Sequence, residues 1–221
     1  MKLTNRLAMV ADMVDPCDHF VDIGTDHAYL PAYLLQTARV KTALACDLRP
    51  QPLQNAAKTV TQYQLENSLS LRLSDGLQNV QPQEADVIAI AGMGGLLIAQ
   101  MIAETPWLQS KDKTLLLQPM THEEDVRKAL SEHQFEIVEE RTAQEGKHLY
   151  LCMKAKYTGE EQPQNDVFYY FGTLPAKKTE TDVLYQNKIR QRLLKRATAL
   201  RSIEPATAEQ IDKILEESCP C

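Results

Sequence analysis

Residues 20–31 read F-V-D-I-G-T-D-H-A-Y-L-P, which sets Asp22 and Asp26 on either side of a single Gly24, with His27 immediately after. Val21 and Ile23 favour a strand, Gly24 permits a tight turn, and Pro31 suits the first turn of a helix. A strand discharging through a glycine into a helix is how α/β sheets hold nucleotides, beyond the carboxyl ends of their strands. The occupants of the turn narrow the ligand. A pyrophosphate fingerprint needs G-x-G-x-x-G, but Asp26 and Ala28 stand where further glycines would be. Anionic side chains there repel a pyrophosphate and attract a cation.

Three more stretches continue the pattern. Residues 42–46, T-A-L-A-C, read as a buried strand ending at Asp47, about 20 residues past the turn, where a carboxylate holds the hydroxyls of a ribose. Residues 69–73 alternate L-S-L-R-L and stop at Ser74-Asp75-Gly76. Asp75 can accept from the amino group of an adenine, and Gly76 lets the base lie close. A nucleoside carrying positive charge instead of phosphate is S-adenosylmethionine (SAM), with its sulfonium and ammonium. Residues 85–95, A-D-V-I-A-I-A-G-M-G-G, hold an unbroken apolar run at 87–91, as expected of a central parallel strand covered on both faces. That run empties into Gly92, Met93, Gly94 and Gly95 before a helix over 96–104. Glycines at a strand end leave room for a planar group against bare backbone, with Met93 flanking it.

The elements that must position these residues follow from periodicity. Leu3, Leu7, Val10 and Val14 form one stripe of a helix stopping before Asp15-Pro16, with Lys2 and Arg6 off the stripe, as solvated surface charge or as contacts for a polyanion. Pro50 and Pro52 open a helix with Leu53, Ala56, Ala57, Val60 and Tyr63 along one face. Residues 115–117 make a fifth strand ending at Gln118-Pro119-Met120. The T-x-x-E spacing from Thr121 to Glu124 predicts a capping box for a helix through Val126, Ala129 and Leu130. Strand-like runs at 135–138 and 149–153 flank the turn Gln144-Glu145-Gly146 and are expected to pair as an antiparallel hairpin. A polar linker over 159–166 and an aromatic patch over 168–171 come next. Ile189, Leu193, Ala197 and Leu200 then define a helix, Pro205-Ala206 breaks it, and Thr207-x-x-Gln210 predicts the cap of a second helix with Ile211, Ile214 and Leu215. The first arm of this helical hairpin carries Lys188, Arg190, Arg192, Lys195, Arg196 and Arg201, and 186–201 contains no acid.

With 221 residues and a formal net charge of −6, nothing global points to nucleic acid, so phosphate affinity would come from that basic arm. No stretch approaches the roughly 18 apolar residues of a membrane span, and the start lacks the apolar core of a signal peptide; a soluble, cytoplasmic protein is expected. The cysteines Cys17, Cys46, Cys152, Cys219 and Cys221 form no C-x-x-C pair, and His27, His122 and His148 have no metal-ligand spacing. No metal is expected. Neither G-x-S-x-G nor a P-loop occurs.

Taken together, D-I-G-T-D-H-A-Y-L-P at 22–31, D-G at 75–76, I-A-G-M-G-G at 90–95 and L-Q-P at 117–119 resemble the bacterial tRNA (adenine-22-N1)-methyltransferase family. The resemblance implies an α/β, Rossmann-like class I methyltransferase domain over 1–157, with a mostly parallel seven-stranded sheet and helices on both faces. It implies a coiled-coil-like helical hairpin over 158–221 that contacts tRNA. It assigns Asp22, Gly24 and Asp26 to the methionine end of SAM, with His27 and Ala91 in the same pocket, Asp47 to the ribose, and Asp75 with Gly76 to the adenine. Gly92, Met93 and Gly94 fall where the target base meets the methyl group. Asp26, Gln118 or a carbonyl of the glycine segment would accept from the amino group of that base, and His27 and Tyr29 would orient or stack on it. Amino-directed adenine methyltransferases carry N-P-P-Y or D-P-P-Y after the fourth strand; A-G-M-G-G here implies ring N1 instead. The competing readings are a methyltransferase for another RNA or a small molecule, and a non-catalytic RNA-binding protein of the same fold.

Overall fold

The computed structural model describes residues 1–161, 163–176 and 179–218; Cys219 and Cys221 lie outside them. Seven strands form one sheet: β1 (Cys17–Ile23), β2 (Val40–Asp47), β3 (Leu69–Leu73), β4 (Val87–Gly94), β5 (Thr114–Thr121), β6 (Phe135–Glu145) and β7 (His148–Tyr157). Their order is β3-β2-β1-β4-β5-β7-β6. β1 to β5 pair in parallel, while β7 runs antiparallel to both β5 and β6. This is the mostly parallel Rossmann-like sheet expected, closed by the expected hairpin. The apolar run of β4 lies between β1 and β5, and Val87 to Ile90 are all buried.

Successive residues of a strand face opposite sides, and the central strands feed two cores accordingly. Val21, Ile23, Ile88, Ile90, Leu115 and Leu117 pack against α4 (Gly95–Glu104) and α5 (Glu123–Glu132). Phe20, Val87, Ala89 and Leu116 pack against α1 (Asn5–Asp12), α2 (Tyr29–Gln36) and α3 (Pro50–Gln62). The sheet ends with β7 at Tyr157. Beyond it come α6 (Asp166–Phe171), α7 (Glu180–Leu200) and α8 (Pro205–Glu217). Phe171, Tyr185, Ile189, Leu193, Ile211 and Ile214 are buried in the same core as α4 and α5, so these helices are fused to one face of the sheet. No helix among the described residues is long and apolar enough to cross a membrane.

Several local expectations differ from the fold. β4 continues to Gly94, with Met93 opposite Pro119 and Gly94 opposite Thr121 through irregular register. The glycine segment is thus a strand end, and α4 starts at Gly95. That glycine is demanded by packing, because a Cβ there would drive into the carbonyl oxygens of Thr121 and His122. Thr121 does not cap α5: His122 takes the N-cap position in the left-handed region, φ 56, without a side-chain cap bond. Its neighbour Glu123 turns instead to the Tyr185 hydroxyl, 2.7 Å away. Thr207 lies inside α8, where its hydroxyl donates to the Glu204 carboxylate at 3.1 Å, while Pro205 occupies the first turn. On α3 the buried positions are Pro52, Ala56, Thr59 and Val60, and Ala57 is exposed. Leu73 is exposed as well, since β3 is an edge strand with a neighbour on one side only.

Candidate active site

The strand order reverses between β1 and β4, and a doubly wound sheet opens a crevice at the carboxyl ends of the strands at such a point. The turn after β1 lies there. Gly24 adopts φ 78, and its N–H and that of Thr25 both donate to the Cys46 carbonyl at 2.9 Å, pinning the turn to β2. The Ala28 N–H donates to Thr25 Oγ1 at 3.1 Å and sets the start of α2.

Two cavities meet at this glycine. One, of about 270 Å³, is lined by Asp47, Asp75, Gly76, Gly92 and Met93 together with Gly24. The other, of about 250 Å³, is lined by Arg6, Asp22, Asp26, His27, Tyr29 and Ala91, again with Gly24. The residues expected at the nucleoside end and those expected at the methionine end are thus sorted into adjoining spaces. A Cβ on Gly24 would sit 3.0 Å from Met93 Sδ, at a φ that disfavours other residues. Gly24→Ala is expected to weaken SAM binding about tenfold, measured by titration calorimetry; unchanged affinity would remove Gly24 from the binding path.

Asp22 is buried and makes no ion pair among the described residues. Burial pushes its carboxyl up to about 6, opposed by the Thr25 hydroxyl and the Arg6 charge and reinforced by Asp47. Such a carboxylate favours an incoming cation, as the ammonium of SAM provides. Asp47 is nearly buried at the end of β2, where its Oδ1 accepts from the Arg49 N–H at 2.8 Å. Asp75 is exposed beside Gly76. At the outer rim Asp26 is exposed and lies 3.4 Å from His27 Nε2. The His27 ring is stacked on Tyr29, centroids 5.0 Å apart with planes at 7°. These residues fit SAM: a charge-seeking buried carboxylate, a second carboxylate at the ribose position, and glycine backbone between.

Gln118 and Gly94 line neither cavity. Gln118 is fully buried; its Oε1 accepts from Arg6 Nη1 at 2.9 Å, and its Nε2 donates to the Pro119 carbonyl at 3.0 Å. Gly94 is exposed at the tip of β4, where a Cβ would meet only the Thr121 hydroxyl among the described residues, at an ordinary contact distance of 3.8 Å. Arg6, read from the sequence as surface charge or a polyanion contact, is the residue of the cavity wall that was missed. It lines the methionine-side cavity, its guanidinium lies 3.2 Å from where a Cβ on Gly92 would stand, and it lies over Tyr150 at 5.8 Å. Its backbone N–H donates to the Glu145 carboxylate at 3.2 Å. Only its position one step off the apolar stripe of α1 hinted at an inward role.

The basic arm is divided by the fold. Arg192 bridges Glu123 and Glu124 at 2.7 and 2.9 Å, and Arg201 pairs with Asp212 at 3.2 Å. Arg190 donates to the Ser218 carbonyl and lies over Phe171. Lys188 lies over the Tyr185 ring, and Arg196 reaches the Tyr170 hydroxyl at 3.4 Å. Lys195 is exposed.

The sequence matches the family described as "Methyltransferase domain" over residues 3–153. The tRNA (adenine(22)-N(1))-methyltransferase of Bacillus subtilis is 30% identical over 221 residues, spanning 98% of this chain and 92% of the relative. A Streptococcus pneumoniae protein solved in complex with S-adenosyl-L-methionine has TM-score 0.87 at 29% identity, covering 98% of this chain and 99% of that one. TrmK of M. capricolum, solved with the cofactor product S-adenosyl-homocysteine, has TM-score 0.83 at 25% identity, covering 99% and 98%. With the two cavities meeting at Gly24 and a near full-length match of this kind, the chain belongs to the methyltransferase-domain family and, within it, to the tRNA (adenine(22)-N(1))-methyltransferases.

Proposed function

We propose that this protein methylates N1 of adenine 22 in tRNA, using SAM held across Gly24. The observation that carries the reading is the sorting of Asp47, Asp75 and Gly76 into one cavity and Asp22, Asp26 and His27 into the next. The chemistry that the bound cofactor supplies is an electrophilic methyl group on a sulfonium. Ring N1 of adenine already carries an in-plane lone pair, so no residue has to remove a proton before attack. The protein's part is alignment and accommodation of the positive charge that moves onto the base. Asp22 binds the ammonium and Asp47 the ribose. Asp26, exposed at the rim, accepts from the adenine amino group, while the His27–Tyr29 stack offers a face to the ring. Gln118 acts through Arg6, whose guanidinium it fixes. Met93 and the bare backbone of Gly92 and Gly94 leave the approach open, with nothing resembling N-P-P-Y to activate the exocyclic amine.

Residues 1–157 carry this chemistry, and 158–221 grip the tRNA body. Lys188, Lys195 and Arg196 supply the phosphate contacts, with Arg190, Arg192 and Arg201 also tying the helices together. The reaction belongs in the cytoplasm, where tRNA matures. Incubation with total tRNA and radiolabelled SAM, followed by nucleoside mass spectrometry, is expected to yield 1-methyladenosine. N6-methyladenosine, measured before alkaline rearrangement, would overturn the N1 assignment; no incorporation into tRNA would overturn the substrate.

A further inference from the structure

Beside these two cavities, with α7 contributing to its wall, lies a third of about 340 Å³ that is lined by none of the residues assigned to the cofactor or the target base. Its wall is built from four elements: Pro119 and Met120 at the end of β5, Glu123 at the start of α5, Lys147, His148 and Tyr150 around the β6–β7 turn, and Lys188 on α7. The volume is within the roughly 300–1,000 Å³ of small-molecule sites. We propose that it is a second nucleotide subsite, which takes the RNA residue adjoining the one being methylated; this rests on the tRNA methylation reading above.

The chemistry of the wall matches a nucleotide at both ends. Lys147 and Lys188 are exposed and both line the cavity, one on the hairpin turn and one on the long helix. Lys188 Nζ donates to the Leu149 carbonyl at 3.2 Å, and an ammonium has three N–H groups, so two more can meet a phosphate. The acid in the lining, Glu123, is already occupied by Arg192 and the Tyr185 hydroxyl, so the field inside is cationic. Tyr150 and His148 supply ring faces, 6.4 Å apart, and Met120 is an exposed apolar side chain beside them. Aromatic faces with flanking cations hold unstacked bases with little regard to identity.

The subsite is joined to the reaction centre by direct contacts. Met120 Sδ lies 3.6 Å from Gln118 Nε2, Gln118 Oε1 accepts from Arg6 Nη1 at 2.9 Å, and Arg6 lies over Tyr150 while lining the methionine-side cavity. Arg6 thus lines the cavity that holds Asp26 and lies over a ring of the neighbouring one, so the two spaces adjoin through a single side chain.

The test uses the full-length protein and tRNA transcripts carrying an abasic site at either neighbour of the target adenine. Tyr150→Ala is expected to raise KM for tRNA about tenfold, as is the exposed pair Lys147→Gln with Lys188→Gln, while SAM affinity measured by calorimetry is unchanged. One of the two abasic transcripts should raise KM similarly for the wild type, and that loss should largely vanish in the Tyr150→Ala background. Unchanged KM in both variants, or fully additive losses with either abasic transcript, would overturn the subsite while leaving tRNA methylation standing. Failure of the wild type to methylate intact tRNA would overturn both.

Discussion

Asp22→Asn is expected to give a protein that unfolds at a higher temperature near neutral pH and binds SAM roughly 10- to 150-fold more weakly, the span for a hydrogen bond to a charged group. The two effects have one cause. Asp22 is buried, and its carboxyl sits at about 6 in the folded protein against an ordinary 3.8. The folded state therefore binds this proton more tightly than the unfolded chain does. Ionised Asp22 costs stability at any pH above about 6; the cost shrinks between about 6 and 4 and is gone below the ordinary value. A shift of this size corresponds to about 3 kcal/mol, the upper bound on what asparagine recovers. The bound ammonium offsets the same cost, so SAM affinity of the wild type should fall as pH drops through about 6, while the asparagine variant shows no such decline. Melting curves and calorimetry from pH 4 to 8 check both. A variant that melts lower than wild type at pH 7.5, or binds SAM with undiminished affinity, would contradict the assignment of Asp22 to the ammonium.

Glu140→Gln is expected to destabilise the whole protein by about 3–5 kcal/mol, the usual effect of stripping one partner from a buried ion pair. Arg127 and Glu140 are both fully buried, with Nη2 2.8 Å and Nε 2.9 Å from Oε1. Each also holds the chain that follows the sheet domain. Arg127 Nη1 donates to the carbonyls of Tyr169 and Tyr170 at 2.8 and 3.1 Å, covering the end of α6. Glu140 Oε2 accepts from the Thr173 N–H and hydroxyl at 2.6 and 2.9 Å. Gly172 lies so close that a Cβ would enter the pair itself; Gly172→Ala should therefore be damaging as well. Denaturant unfolding measures these losses. The double variant Arg127→Met with Glu140→Gln should recover part of the loss, since no unpaired charge remains buried. A loss below about 1 kcal/mol for Glu140→Gln, the size of an ordinary neutral hydrogen bond, would show that the pair does not join the two regions. The same geometry argues against deleting 158–221 to isolate the chemistry: Arg127, Glu123 and the core face under Tyr185 and Ile189 would be laid open.

What the sequence by itself determined is what local period and strand-end chemistry encode. The apolar run at 87–91 marked the centre of the sheet, because only a strand covered on both faces is apolar at every position. The alternation at 69–73 marked a strand, and the absence of a helix between 135 and 153 implied the antiparallel pair. That Asp22, Gly24, Asp47 and Gly76 stand at or just beyond strand ends was legible because a strand's carboxyl end is a fixed place in a doubly wound sheet, whatever surrounds it. Tertiary structure alone decided the partners of charges. Arg6 meets Gln118 across 112 positions of sequence, and nothing in the neighbourhood of either residue reports the other. Glu123 has the type and place of a first-turn acid, yet Arg192 and the Tyr185 hydroxyl outweigh its burial and hold its carboxyl down at about 2. The basic run of α7 has the same composition whether its charges face water, RNA or carboxylates. Folding chose carboxylates for Arg192 and Arg201 and left Lys195 exposed. Charge sign is a local property, but the partner that satisfies it is set by which surfaces the core brings together.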